Sequence, residues 1–65
     1  MKAESLRPGD WIIAPFGYDA LMFYVVAAPD ERRSIEVGCE RWAPGDTTRL
    51  LKFQLDEGGF MYIGR

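Results

Sequence analysis

The stretch that decides the fold is residues 21–28, which reads Leu-Met-Phe-Tyr-Val-Val-Ala-Ala. Turn-type clusters flank this run, and it is too short to cross a membrane as a helix, so the pattern predicts a β-strand. Because side chains alternate between the two faces of a strand, both faces of this strand are apolar. The chain has 65 residues, too few to build a covering layer on each side. Either the strand bends so sharply that both sides meet the core, or another molecule covers one face.

The rest of the chain is divided by clusters of turn-forming residues at 8–10, 17–19, 29–31, 44–46 and 56–59. Their spacing of about 8 to 15 residues is typical of a small all-β sandwich or barrel. The runs between them predict five strands, over residues 11–16, 21–28, 34–42, 49–55 and 60–63. The predicted fold is one all-β domain over residues 1–65: a small, five-stranded, strongly bent antiparallel barrel with no helix longer than about two turns.

Alternation at period two is clearest in the third and fourth of these runs. The residues that share one side are Ile35, Val37 and Cys39 in the third run, and Leu51, Phe53 and Leu55 in the fourth. Such alternation is typical of a strand with one face in the core. We therefore expect Cys39 to be a buried, structural residue and not a reactive thiol, which would need a basic, exposed setting.

The opening of the chain resembles the first hairpin of Src-homology-3-like and Tudor-type small barrels. The resemblance lies in a Gly-Asp turn, a strand ending in alanine and an aromatic, a Gly-Tyr-Asp turn, and an aromatic in the second strand: Gly9, Asp10, Ala14, Phe16, Tyr18, Asp19 and Tyr24. It covers about the first 28 residues and implies five strongly bent antiparallel strands around one core. The Tudor pattern usually carries an arginine soon after the second-strand aromatic, where this chain has Val25 and Val26. The resemblance therefore does not extend to recognition of methylated lysine or arginine.

Composition argues against catalysis and against a metal site. The chain has no histidine and one cysteine, so it offers no Ser-His or Cys-His pair and no ordinary set of zinc ligands. We expect no enzymatic activity, no cofactor and no metal. Ten acidic residues against eight basic ones give a net charge of −2, whereas nucleic-acid binding usually requires a clustered basic surface.

The same features indicate a compartment. A lone thiol suits a reducing environment. Residues 1–10 include Lys2, Glu4 and Arg7 and lack the apolar segment of a signal peptide. We expect a cytoplasmic protein that does not enter a membrane.

Aromatic residues beside turns form one candidate site. Phe16, Tyr18 and Trp42 are candidates for a cage that holds a cation, with Asp10 or Asp19 supplying negative charge. The alternatives are stacking on exposed bases, closure of the ends of a very small core, and contact with a protein.

The second candidate site is one side of the run at residues 21–28. Leu21, Phe23, Val25 and Ala27 have no polar side-chain atom, which suits the core, so this side is expected to face inward. The other side holds Met22, Tyr24, Val26 and Ala28, and its hydroxyl and flexible thioether suit an interface. With Trp11 and Ile13 from the neighbouring strand, the predicted partner-binding residues are Trp11, Ile13, Met22, Tyr24 and Val26.

These expectations favour a non-catalytic protein-binding module that contacts a second copy of itself or a host protein. Arginine outnumbers lysine and asparagine is absent, and the chain has the general appearance of an accessory protein of a bacteriophage or mobile element. One alternative is a small-barrel nuclease or toxin. The other is a nucleic-acid-binding small barrel, in which one face would gather Arg32, Arg33, Arg41, Arg49, Lys52 and Trp42.

Overall fold

The computed structural model describes residues 2–15, 21–28 and 33–65. A 3-10 turn at Ala3–Ser5 precedes strand β1 at Trp11–Ile13. Strands β2 at Met22–Ala27, β3 at Ser34–Cys39 and β4 at Thr47–Leu51 follow, then the short helix α1 at Lys52–Glu57 and strand β5 at Met61–Gly64. The predicted runs thus correspond to five strands, each shorter than or shifted from its predicted bounds. The expected residues 14, 15 and 40–42 are not part of the strands that the structure assigns.

The five strands form one antiparallel sheet in the order β4-β3-β2-β1-β5. Strand β2, which carries the apolar run, lies at the centre, between β1 and β3. Strands β4 and β5 are the two edges, and among the described residues no pairing joins these edges into a closed barrel. The structure confirms an all-β fold with a five-stranded antiparallel sheet.

The core lies on one face of this sheet. Phe23 and Val25 of β2 are buried there, and Leu21 packs against them. The expected inward side of the central strand is therefore confirmed at these positions. The other buried apolar residues are Ala3, Leu6, Ile12, Ala14, Ile35, Val37, Cys39 and Leu55. The burial predicted for Cys39 is confirmed, and its Cα partner in the sheet is Phe23.

A bulge in β2 corrects one detail of the predicted faces. Val25 pairs with Val37, but the next paired residue of β2 is Ala27, opposite Glu36, so Val26 is an extra residue. The alternation changes phase at this point. Ala28, expected on the outward side, packs against the core, while Ala27 pairs with Glu36 on the opposite face.

The strand predicted over residues 49–55 is wrong in its second half, where the structure has helix α1. The backbone N–H of Leu51 donates to Gln54 Oε1 at 2.8 Å, which satisfies a backbone donor at the helix start. Lys52 and Asp56, four residues apart, form an ion pair at 2.6 Å. Leu55 is fully buried whereas Phe53 is 60% exposed. The apparent alternation of Leu51, Phe53 and Leu55 therefore did not mark one side of a strand.

Helix α1 closes the core together with the 3-10 turn. The backbone N–H of Ala3 donates to Asp56 Oδ1 at 2.7 Å, and Leu6 and Leu55 are both buried. The hydrogen bond from Ala3 and the bond from Lys52 outweigh the effect of desolvation and lower the pKa of Asp56. Two segments far apart in sequence thus form one cover over the inward face of the sheet.

Asp10 is the one buried polar or charged side chain among the described residues. It follows a tight turn in which its backbone N–H donates to the Arg7 carbonyl at 3.0 Å and Gly9 has a φ of 94°. Its Oδ2 accepts from the Arg7 backbone N–H at 2.8 Å, and its Oδ1 accepts from Arg65 Nε at 2.9 Å and from the Tyr62 hydroxyl at 3.4 Å. Burial raises the pKa of Asp10, but these hydrogen bonds and the charge of Arg65 outweigh it and leave the pKa below its ordinary value.

Replacing this carboxylate should destabilise the protein in a pH-dependent way. Because the pKa of Asp10 is lower in the folded state, its contribution is present above the ordinary value of 3.8 and is lost as the pH falls through the folded-state pKa. Asp10→Asn should lower the free energy of unfolding by about 1 to 2 kcal/mol at pH 7, and by less at pH 2.5. Urea denaturation at the two pH values measures this difference. Asp46→Asn, in an exposed turn, is the control; an equal cost of Asp10→Asn at both pH values would contradict the account.

Candidate interaction surface

The face of the sheet opposite the core brings the predicted partner-binding residues together. Trp11 of β1 lies opposite Tyr24 of β2, and Ile13 lies opposite Met22. Directly opposed residues in an antiparallel pair share a face and have neighbouring Cβ atoms. Val26, the extra residue of the bulge, is 40% exposed. We call this side of β1, β2 and β5 the outward face.

Strand β5 extends the outward face beyond the residues found from sequence. Met61 pairs with Ile13, and Ile63 is the extra residue of a second bulge, beside Trp11. Both side chains are highly exposed. Sequence analysis predicted the strand but did not pair it with β1. Once β5 is paired with β1, the alternation of side chains along β5 places Met61 and Ile63 on this surface. The outward face therefore comprises Trp11, Ile13, Met22, Tyr24, Val26, Met61 and Ile63.

An aromatic pair forms the middle of the outward face. The rings of Trp11 and Tyr24 meet edge to face, with centroids 5.3 Å apart and an interplanar angle of 60°. Gly38 of β3 lies opposite Tyr24 on its other side. A Cβ atom at Gly38 would overlap the Tyr24 ring, so this glycine provides the space in which the ring lies across β3. The phenol is thereby held between two strands, in a defined position.

Within the five described strands, the charged residues on this face lie on the side of β3 and β4. None of the seven residues of the outward face is charged. Farther along the same face, Glu36 of β3 pairs with Arg49 of edge strand β4, and Glu36 Oε2 accepts from the Thr47 hydroxyl at 2.7 Å. This face of the sheet therefore has an uncharged apolar half, over β5, β1 and β2, and a half over β3 and β4 that carries the charged residues together with the exposed Leu51.

The structure places the cage candidate Trp42 away from the outward face. Its ring contacts Phe23, a core residue, with centroids 5.8 Å apart, and Phe23 in turn lies 6.3 Å from the Phe60 ring. Trp42 therefore packs at one end of the core. Phe16, Tyr18 and Asp19 lie outside the described residues. Asp10, the other suggested source of negative charge, is already bonded to Arg65.

A cleft of about 200 Å³ lies beside this aromatic cluster. The cleft could not be predicted from the sequence, because residues 52–55, which form part of its wall through Gln54, were expected to be a strand and are helix α1. It is mainly apolar, and the Oε1 atom of its Gln54 side chain already accepts from Leu51. Its described lining residues are Ala14, Pro15, Phe23, Leu50, Gln54, Gly58 and Phe60. This lining contains no titratable group, so the cleft offers shape and apolar contact but no acid–base chemistry.

Two properties concern the described residues as a whole. Over residues 2–15, 21–28 and 33–65, no group of three or more His, Cys, Asp or Glu side chains could hold a metal ion. Within the same residues, none of the helices has the length and apolar character needed to span a membrane.

Comparisons with known proteins supply no relative from which a function could be transferred. No protein-family model matches the chain, and neither the curated proteins nor the solved structures contain a significant match. The function must therefore be inferred from the outward face itself.

The position of the Tyr24 ring over Gly38 can be tested by a double-mutant cycle. Gly38→Ala should destabilise the protein by about 1 to 3 kcal/mol, because the added methyl group displaces a packed ring. In a Tyr24→Ala background the same change should be nearly neutral, because the overlapping atoms are gone. Urea denaturation of the four proteins measures the coupling. An equal cost of Gly38→Ala in both backgrounds would show that the ring does not lie over this glycine.

Proposed function

We propose that this protein is a non-catalytic protein-binding module and that the outward face is its contact surface. The observation that carries the proposal is an uncharged apolar and aromatic surface on the side of the sheet that the protein's own core does not use. Aromatic residues and methionine are enriched at protein interfaces, and charged residues are depleted from their centres. The outward face has this composition, with Trp11, Tyr24 and Met22 at its middle.

The scaffold we propose is a partly open small barrel of the Src-homology-3-like kind. The strand order, with β1 between β2 and β5, and a short helix between β4 and β5 support this. Such an arrangement buries one sheet face in a single core and leaves the other face to contact a partner. The resemblance of the first hairpin to this group of barrels agrees with that scaffold.

The size of the surface suits a contact that forms and separates. An apolar patch of about 300 to 600 Å² contributes some 8 to 15 kcal/mol gross at about 25 cal/mol per Å². Association costs on the order of 4 to 15 kcal/mol. Because these terms nearly cancel, ordered side chains matter. The fixed position of Tyr24 between Trp11 and Gly38 reduces the entropy lost on binding.

The setting we propose is the cytoplasm, with the protein acting as an accessory factor of a bacteriophage or mobile element. Its partner there would be a host protein or a second copy of the chain. No side chain in this proposal performs a chemical step. Binding alone, through the outward face, would alter the partner's activity or assembly.

Site-specific photo-cross-linking in the producing cells tests the proposal. A benzophenone amino acid replaces Met22 on the outward face, and a matched protein carries it at Phe53, which is exposed on α1. We expect cross-links to protein from position 22 and few from position 53. Adding Tyr24→Asp should reduce the position-22 cross-links by about tenfold or more, because an unpaired charge in a desolvated contact is costly.

Two results would contradict this function. One is equal cross-linking from positions 22 and 53. The other is cross-linking from position 22 that Tyr24→Asp leaves unchanged while the variant remains folded. Either would show that the outward face is not the contact surface.

A further inference from the structure

Among the described strands, β5 lies at an edge of the sheet, directly beside the outward face. Its pairing partner in the described sheet is β1, and no other described strand lies against its second side. An edge strand carries unpaired backbone N–H and C=O groups, which can pair with another strand. Met61 and Ile63 project from this edge strand and are 65% and 49% exposed.

The two edges of the sheet differ in how they are protected. Edge strands commonly carry charged residues or proline, which discourage pairing with another chain. Strand β4 contains Arg49 and is followed directly by Lys52. Strand β5 reads Met-Tyr-Ile-Gly and has neither a charge nor a proline. Arg65 follows the strand directly, but its guanidinium is bonded to Asp10. Within the strand the bulge at Ile63 is protective, because it restricts regular pairing to a short segment.

We infer that a second copy of this chain binds here, through antiparallel pairing of the two β5 strands. This inference rests on the proposed function and names a partner that binds at the β5 edge of the outward face. In a two-fold symmetric contact each surface meets itself, so any charge at the centre meets an equal charge. The uncharged β5 avoids that repulsion, whereas pairing through β4 would bring two copies of Arg49 together.

The separation of apolar and charged residues across this side of the sheet also fits a dimer that pairs through β5. Pairing through β5 places the apolar halves of the two sheets side by side at the centre of the dimer. The Glu36–Arg49 pairs then lie at the two distant ends, in water. Met61 and Ile63 of one copy meet those of the other, and the apolar surface over β1 and β2 becomes continuous across both copies.

The contact area predicts a weak dimer. Four edge residues, with Met61, Tyr62 and Ile63 each about half exposed or more, offer on the order of 400 Å² per copy. That is about a tenth of the 4413 Å² surface of the chain. A total of roughly 800 Å² falls in the range of weak, transient interfaces. Dissociation constants of about 10 to 500 μM are therefore expected.

Sedimentation equilibrium from about 5 to 500 μM protein tests the inference. The wild-type chain should pass from monomer to dimer across this range. Ile63→Lys should raise the dissociation constant by about tenfold or more, because it places a like-charged pair at the contact. Leu51→Lys, an equally drastic change at an exposed position of β4, should leave it within about twofold. Amide exchange in Met61–Gly64 should slow as the protein concentration rises, and that in Thr47–Leu51 should not.

Each other outcome overturns the inference in an identifiable way. A dimer weakened equally by Leu51→Lys, or protected at β4, is built on another edge. A chain that stays monomeric to 500 μM does not self-associate through β5; cross-linking of position 22 to a different protein would then still support the proposed function. If Ile63→Lys fails to fold, Met61→Lys, at a more exposed position, replaces it and must give the same loss.

Discussion

The structure depends on one constraint: the central strand is apolar on both sides, and the described residues form a cover for one of them. Phe23 and Val25 face a core closed by the 3-10 turn and by Leu55 of α1. A chain of this size buries only about 60% of the surface that its unfolded state exposes, and its core must use most of the available apolar residues. Met22 and Tyr24 consequently remain on a face that the described part of the chain leaves partly open.

The buried carboxylate of Asp10 connects this core to the outward face. It joins the turn before β1 to Tyr62 of β5 and to Arg65. These bonds tie β5 beside β1, and that placement adds Met61 and Ile63 to the apolar surface. An uncompensated charge in so small a core would be costly, but Asp10 is compensated by three donors. The buried residue Asp10 therefore determines which side chains of β5 lie on the outward face.

Much of this could be predicted from sequence because it follows from alternation and turn chemistry. The run at residues 21–28 predicted a strand, which the structure places at the centre of the sheet. The absence of polar side-chain atoms at Phe23 and Val25 identified its buried side. Cys39 was expected in the core because it alternates with Ile35 and Val37, and it lies there. Local sequence patterns predict structure correctly where the backbone preference of a segment agrees with the burial of its side chains in the fold.

The errors occurred where contacts distant in sequence decide the structure. Residues 52–55 alternate like a strand, but the distant bond from Ala3 to Asp56, together with the local Lys52–Asp56 pair, stabilises a helix there. The bulge at Val26 changes the faces of Ala27 and Ala28, and nothing in the local sequence marks it. The extension of the outward face by Met61 depends on the pairing of the first and last strands. For Phe16 and Tyr18, which lie outside the described residues, the cation-cage hypothesis stays a prediction.

The most direct test of the account is a pair of thermal melts that asks which side of the central strand the core uses. Phe23→Asp places a charge in the core and should abolish cooperative folding, because several kcal/mol is a large part of the stability of so small a domain. Tyr24→Asp removes ring contacts on the outward face, so it should lower the melting temperature and leave a cooperative transition. If Tyr24→Asp unfolds the protein while Phe23→Asp still melts cooperatively, the central strand is inside out and the proposed contact surface is wrong.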